Sequence, residues 1–541
     1  MLTLWLLGFA LLAPFLARVT RGGSGLSTPR SAPLADAVPP FLFVSRRPLG
    51  EPGAIPGFGP RHRAAAPGGR LMVRESDGRL RELFYQPPLF DVSDPSVSPD
   101  AQRVVFAGTP AADSAWRLYV ASLDGSGLHE LTAPGSRGED DLDPVWLDEN
   151  TIVYASTHSS WRTQYDGTPA AQLWRLSLSD GSRVRITSER NGVEEPCVDP
   201  RDGDIVYSRW WFNRWRPARN ADSSDARSSV TLDSTRALPG ERANLWQAIE
   251  IRSDGSRPRL AAGAFRDRRS EFADQVAILP DGTLLAVLGD ELGLSPRPGA
   301  TELVSFDHRF SPPRHVAGAR FDPADAPAYG STRGLSAPSA CSPAALPDGR
   351  FLFSYDPGAR GDFGIWLGAP GTRGGEPVAL VDLPGTLELD PAPIVARRPK
   401  TALQPAIARR EPPASPQGLA QWPDKFRFLD RDVFAHAYGK LASSIHRGVA
   451  QVRIRFWAEL PGGEGQRDTL VLVREAPVGR DGRVDQSGLP AGIPMFEQLV
   501  DERGQVLTSS LGPAHVAGYN SGTPGETVKC IGCHRGHSIE K

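Results

Sequence analysis

The chain has 541 residues with 61 basic and 63 acidic side chains, a balance that gives no sign of nucleic acid or an acidic partner. Its 56 glycines and 51 prolines stay below the share that marks disorder, and four cysteines are too few for a disulfide-stapled scaffold. The length suits two or more domains of ordinary size.

Leu2 to Leu16 form an uncharged apolar run followed by Arg18 and Arg21. The run is shorter than the roughly 20 residues of a membrane span and has the length of an export-signal core. No Lys or Arg precedes it and no clear small-x-small site follows it. Residues 1–22 are therefore either a cleaved signal or an uncleaved membrane anchor. No Cys stands near residue 20, which argues against lipid attachment.

From about residue 38 to 398 the chain repeats. One unit reads Asp94-Pro95-Ser96-Val97-Ser98-Pro99-Asp100, then Arg103–Phe106, Trp116–Val120, an Asp124-Gly125 turn and Leu128–Thr132. Four short strands with turn chemistry between them are the content of one propeller blade. Further units open at Asp143-Pro144, Glu195-Pro196, Asp274-Gln275 and Ser342-Pro343, and a sixth inner strand opens at Asp390-Pro391 with no outer strands behind it. Phe41–Val44, Arg70–Val73 and Leu80–Leu83 supply the missing strands. The expectation is an all-β chain with a six-bladed β-propeller closed by its N-terminal strands, since an open blade would expose sheet edges.

Acidic residues open most inner strands: Asp94, Asp143, Glu195, Asp274 and Asp390. Such a ring could hold a cation, but the expected role is to hydrogen-bond backbone amides and fix the turn. Neither a G-x-S-x-G elbow before a helix nor an H-E-x-x-H helix is present, and the catalytic residues stay unknown. Cys197 and Cys341 read as buried core residues, with a disulfide as the alternative. The run Trp210-Trp211-Phe212-Asn213-Arg214-Trp215 reads as a structural aromatic cluster or a loop facing the second domain.

Residues 399–425 carry Pro399, Pro405, Pro412, Pro413 and Pro416 and read as an extended linker. In 426–541 strands return at Gln451–Phe456, Thr469–Val473, Phe496–Val500 and Gln505–Leu507, the pattern of a small β-sandwich-like domain. Its C-terminal end holds Cys530-Ile531-Gly532-Cys533-His534, a C-x-x-C-H box. Two thiols at this spacing can add across the vinyl groups of one haem, which places His534 as the proximal iron ligand. Competing uses are zinc held with His537, or a Cys530–Cys533 disulfide; zinc sites place their second ligand pair further off. Only seven residues follow His534, so a sixth ligand, if there is one, is expected from upstream or from another chain. His515, in a Gly/Pro/Ser-rich loop, is the first candidate, Met495 the alternative, and His436 or His446 come after.

The blade wording Pro-x-x-Ser-Pro-Asp with a later Leu-x-x-Leu-Thr resembles the propeller of the bacterial Tol system, which implies fold alone. The whole order, with Pro494-Met495-Phe496-Glu497-Gln498-Leu499-Val500-Asp501-Glu502 ahead of the Cys-Ile-Gly-Cys-His box, is similar to the hydrazine synthase alpha subunit family. The resemblance implies that Cys530, Cys533 and His534 bind one covalent haem c. It departs in having a single C-x-x-C-H box, so the hydrazine-forming activity is not carried over.

The expected function is electron transfer by a periplasmic or otherwise exported c-type haem protein. The propeller would dock an unidentified redox partner protein or orient the haem domain. Two other readings stay open: a haem-dependent oxidoreductase with an open iron site, and a binding propeller without redox work.

Overall fold

The computed structural model describes residues 38–530 except 49–64, 86–88, 133–138, 165–166, 213–243, 263–272, 290–300, 310, 321–336, 371–375, 399–402, 435–450, 463–467, 506, 510–511 and 514–520. The apolar segment at 1–22, expected to be a signal or an anchor, lies outside these residues, as do Cys533, His534, His537, His515, His436 and His446.

Among the described residues, six four-stranded sheets occupy 41–393. Five open with the inner strands Asp91–Val97, Asp141–Asp148, Val193–Val198, Ala273–Ile278 and Ser339–Ala345 and add three antiparallel neighbours outward in chain order. The other is assembled from both ends of the region: Leu387–Pro393, then Phe41–Arg46, Arg70–Arg74 and Leu80–Glu82. Phe41 pairs with Pro393 and Arg46 with Leu387. Each inner strand touches the next, and Leu387–Pro393 touches Asp91–Val97, so the inner strands form a ring.

Local chemistry sets the sheets. In the outer turns Asp124 and Asp254 accept the amides of Ser126 and Ser256 at 2.9 and 2.8 Å, an Asx turn that reverses the chain. Gly255 follows with φ +88°, and a Cβ there would stand 2.8 Å from Ile186 O in the neighbouring sheet. The closing strand Phe41–Arg46 is buried along its whole length. Phe41, Leu42, Phe43 and Val44 are fully buried, each contributing about 1.5–3 kcal/mol of transfer free energy. Its last residue, Arg46, is equally buried and donates through Nε to Asp91 Oδ1 at 3.1 Å. An unpaired charge at that depth would be prohibitive.

The proline-rich stretch after the ring packs against the third and second sheets rather than hanging free. Ile407 N donates to Asp254 O and Arg409 N to Arg185 O, both at 2.9 Å. It carries a short helix, Pro416–Ala420, whose first turn is capped by Ser415 Oγ accepting from Gly418 N at 3.2 Å. Leu419 and Trp422 enter the core of the second domain, where Trp422 Nε1 donates to Ala491 O at 2.8 Å.

That domain packs two three-stranded sheets. One orders Val484–Pro490, Lys425–Asp430, Thr527–Cys530; the other Thr469–Pro477, Arg453–Leu460, Met495–Val500. Phe428 and Phe456 meet between them edge to face at 5.1 Å. The Thr527–Cys530 strand joins Lys425–Asp430 in parallel, whereas the other pairings of these sheets are antiparallel. At the junction with the ring, Arg190 is buried over the Trp161 ring and bonds Glu459 Oε2 at 2.9 Å and the Asp468 carboxylate. No described helix is long and apolar enough to cross a membrane.

Candidate functional site

Two places bring chemistry-bearing residues together. The first is the axis of the ring. Every inner strand is broken by a register shift, and at each break one residue takes the left-handed conformation: Asp94, Asp143, Glu195, Gln275, Ser342 and Asp390, with φ between 44° and 52°. This conformation costs a side-chain-bearing residue roughly 1–2 kcal/mol and needs compensation. Side chains of one blade supply it to the next. Asp143 Oδ2 accepts from Glu195 N at 3.0 Å, and Gln275 Oε1 accepts from Ser342 N at 3.0 Å. Asp390 accepts from the Asp94 backbone amide and from Ser342 Oγ, the latter at 2.7 Å. Gln275 Nε2 donates to Glu195 Oε1 at 3.2 Å.

The expected turn-fixing role is therefore seen, but between blades rather than within one. The membership also differs from the sequence reading. Asp274 is not the equivalent residue in its strand; Gln275 is, and Asp274 lies one position earlier, buried. Ser342 completes the set. Five of the six residues stand just before a proline, a pattern already visible in the sequence, and Gln275-Val276 is the one pair without it.

Carboxylate oxygens of Asp94, Asp143 and Glu195 lie within 4.8 Å of one another. Burial, then the Asp143 and Asp94 charges, push the Glu195 carboxyl well above its ordinary range. Burial also raises Asp390, against the hydrogen bond from Ser342. The six left-handed residues line an axial cavity of about 580 Å³, together with Val97, Val145, Val198, Ile278, Ala344, Ala392, Arg397 and Arg398. Cys197 also lines it, while Cys341 is buried, and neither is in a disulfide. Trp210 stacks on Trp246 at 5.7 Å, which accounts for that residue of the aromatic run as packing.

The second place is the end of the sandwich. Cys530 is the last residue of its strand, opposite Asp430 in register, and its carbonyl accepts from Arg431 N at 3.0 Å. It is buried in one core cluster with Phe428, Phe434 and Met495. Met495 opens its own strand opposite Ala458 and is fully buried. Cys533, His534 and His515 belong to the undescribed residues, so of the five cofactor residues read from the sequence the fold positions Cys530 and Met495.

No family model matches the sequence, and no curated protein matches it. Among solved structures, the chain is similar to hydrazine synthase of Kuenenia stuttgartiensis, with TM-score 0.63 and 16% identity over 93% of this chain and 70% of that one. TolB from Acinetobacter baumannii overlaps 66% of this chain and 67% of its own, with TM-score 0.35 and 12% identity. A TolB protein from Agrobacterium tumefaciens overlaps 52% and 88%, with TM-score 0.32 and 12% identity. At 16% identity the first of these likenesses speaks for the fold, an all-β propeller-type chain extended by further β structure.

Proposed function

We propose that this is an exported c-type haem protein working in electron transfer, with a six-bladed propeller as its docking or orienting platform. The observation that carries the reading is the C-x-x-C-H box beginning on the last residue of a paired strand. Cys530 is anchored there by the parallel pairing with Lys425–Asp430. A haem needs an apolar bed, and the Phe428, Phe434 and Met495 surroundings of Cys530 fit that need. Cys530 and Cys533 would hold the macrocycle covalently and His534 would take the proximal position, with His515 or Met495 as the distal ligand. When bound, the haem supplies one-electron redox chemistry. The protein's part is to bury the ring edge, hold the ligands, and set the polarity that tunes the potential. The likeness in fold to hydrazine synthase supports the overall arrangement.

The test is expression with c-type maturation factors, a covalent haem stain on a denaturing gel, and optical spectra. A stained band and a low-spin reduced spectrum unmoved by carbon monoxide are expected. Absence of the stain would overturn the haem, and a high-spin spectrum moved by carbon monoxide would replace the electron carrier with an open-iron oxidoreductase.

A further inference from the structure

We propose that the junction between the ring and the sandwich holds a small monovalent anion of halide size, bound by Arg409 and Ser188. This goes beyond the haem reading and does not depend on it. Three parts of the chain meet there. Arg185 ends the outer strand of the second sheet and Ser188 follows it, Arg409 belongs to the proline-rich stretch, and Gly492 and Thr523 belong to the second domain.

The donors come first. Ser188 is 4% exposed and Arg185 2%, yet Ser188 Oγ and Arg185 Nε are enclosed and meet no hydrogen-bond partner among the described residues. Arg409 is enclosed at Nε and Nη1, again with no acceptor among those residues. Only its Nη2 is engaged, donating to Gly255 O at 2.8 Å and to Thr523 Oγ1 at 2.9 Å, both neutral groups. Arg185 and Arg190 nearby each bond a carboxylate, Glu411 at 2.6 Å and Glu459 at 2.9 Å, and Arg409 bonds none. Glu526 and Asp254 act on it without a hydrogen bond to it, and burial brings its guanidinium down to about 10, so it remains a cation at neutral pH.

The room is beside Gly492, whose φ is +71°. A Cβ there would lie 3.6 Å from Arg409 Cδ and 3.7 Å from Ser188 Oγ, both ordinary contacts, with no other atom beyond its chain neighbours within 4 Å. Arg409 and Ser188 thus border one spot that takes a methyl-sized group, which suits a halide before a tetrahedral oxyanion. The chemistry selects an anion over water. Guanidinium N–H groups only donate. A water brings two protons that need acceptors of their own, whereas an anion brings none and neutralises a guanidinium that no carboxylate bonds.

The experiment is thermal melting of the full-length protein in sodium bromide, sodium acetate and sodium gluconate at equal ionic strength, with anomalous diffraction from a bromide-soaked crystal. The wild type should melt higher in bromide than in gluconate or acetate, with a bromine peak within hydrogen-bond reach of Ser188 Oγ and Arg409. Ser188 Oγ bonds no described residue, so Ser188→Ala should fold. It should need about ten-fold or more bromide for half the melting shift. Arg409→Gln, which should abolish the shift, serves as the second variant. Equal melting in bromide and gluconate, an acetate effect matching that of bromide, an unchanged bromide dependence in a folded variant, or water alone at the junction would each overturn the proposal.

Discussion

Arg190 offers the sharpest test of how the propeller and the sandwich are joined. Its residue is 3% exposed, and the Glu459 carboxylate it meets is 2% exposed, so both charges are out of water. The guanidinium also bonds Asp468 and lies 4.9 Å over the Trp161 ring. An exposed pair of this kind would contribute about 0–1 kcal/mol. Removing one partner of a buried pair costs about 3–5 kcal/mol, because the other charge stays buried without compensation. We therefore expect Arg190→Met to lose about 3–5 kcal/mol, read by urea denaturation followed through tryptophan fluorescence. Adding Glu459→Met should return most of that loss, since two apolar groups replace the pair at little net cost. In the double variant Gln164 Nε2, which donates to Glu459 Oε2 at 2.9 Å, loses that acceptor and Asp468 loses Arg190, and these set the remainder of the penalty. A loss of about 1 kcal/mol or less in the single variant would refute the buried-junction argument. So would a double variant no more stable than the single one.

Other consequences are as direct. Glu195 carries a raised carboxyl, so the folded chain holds a proton there that the unfolded chain releases; stability should fall as pH rises above the ordinary glutamate range, and Glu195→Gln should flatten that fall in melting curves taken across pH. Glu388 sits beside the closing strand, bonded by Ser45 Oγ, and burial raises it to about 7, so the same direction of loss is expected between about pH 4.5 and 7 and should vanish in Glu388→Gln. Phe43→Ala should cost about 3–5 kcal/mol by chemical denaturation, because the ring it vacates is fully enclosed; a loss below about 1 kcal/mol would mean the closing strand is dispensable.

The strands of the ring were legible because the blades repeat the same chemistry: an apolar run, an Asp-Gly turn and, in five of the six, a residue and proline at the inner strand. The pairing of Phe41–Arg46 with Leu387–Pro393 followed from an inner strand that lacked outer ones. What repetition could not show was register at the one blade without its proline, where Asp274 and Gln275 exchange roles. The sandwich was harder. Lys425–Asp430 alternates exposed and buried residues, yet it follows a proline-rich stretch that reads as linker. Val484–Pro490 carries Asp485, Gln486, Ser487 and Gly488, so its strand comes from its partner rather than from propensity. Partnership between Thr527–Cys530 and a strand about a hundred residues earlier leaves no local trace at all.

The same two pairings also set an order in time. Synthesis delivers Phe41–Arg46 first, yet its partner Leu387–Pro393 exists only when the rest of the ring has been made. Lys425–Asp430 likewise waits for Thr527–Cys530, near the chain's end. Each domain thus keeps an unsatisfied, largely apolar strand edge until its last segment arrives, a geometry that slows folding and invites mispairing with neighbours. A chain built this way gains from being held unfolded until both partners of each pairing have been made, and Cys530 then ends the strand whose docking finishes the sandwich.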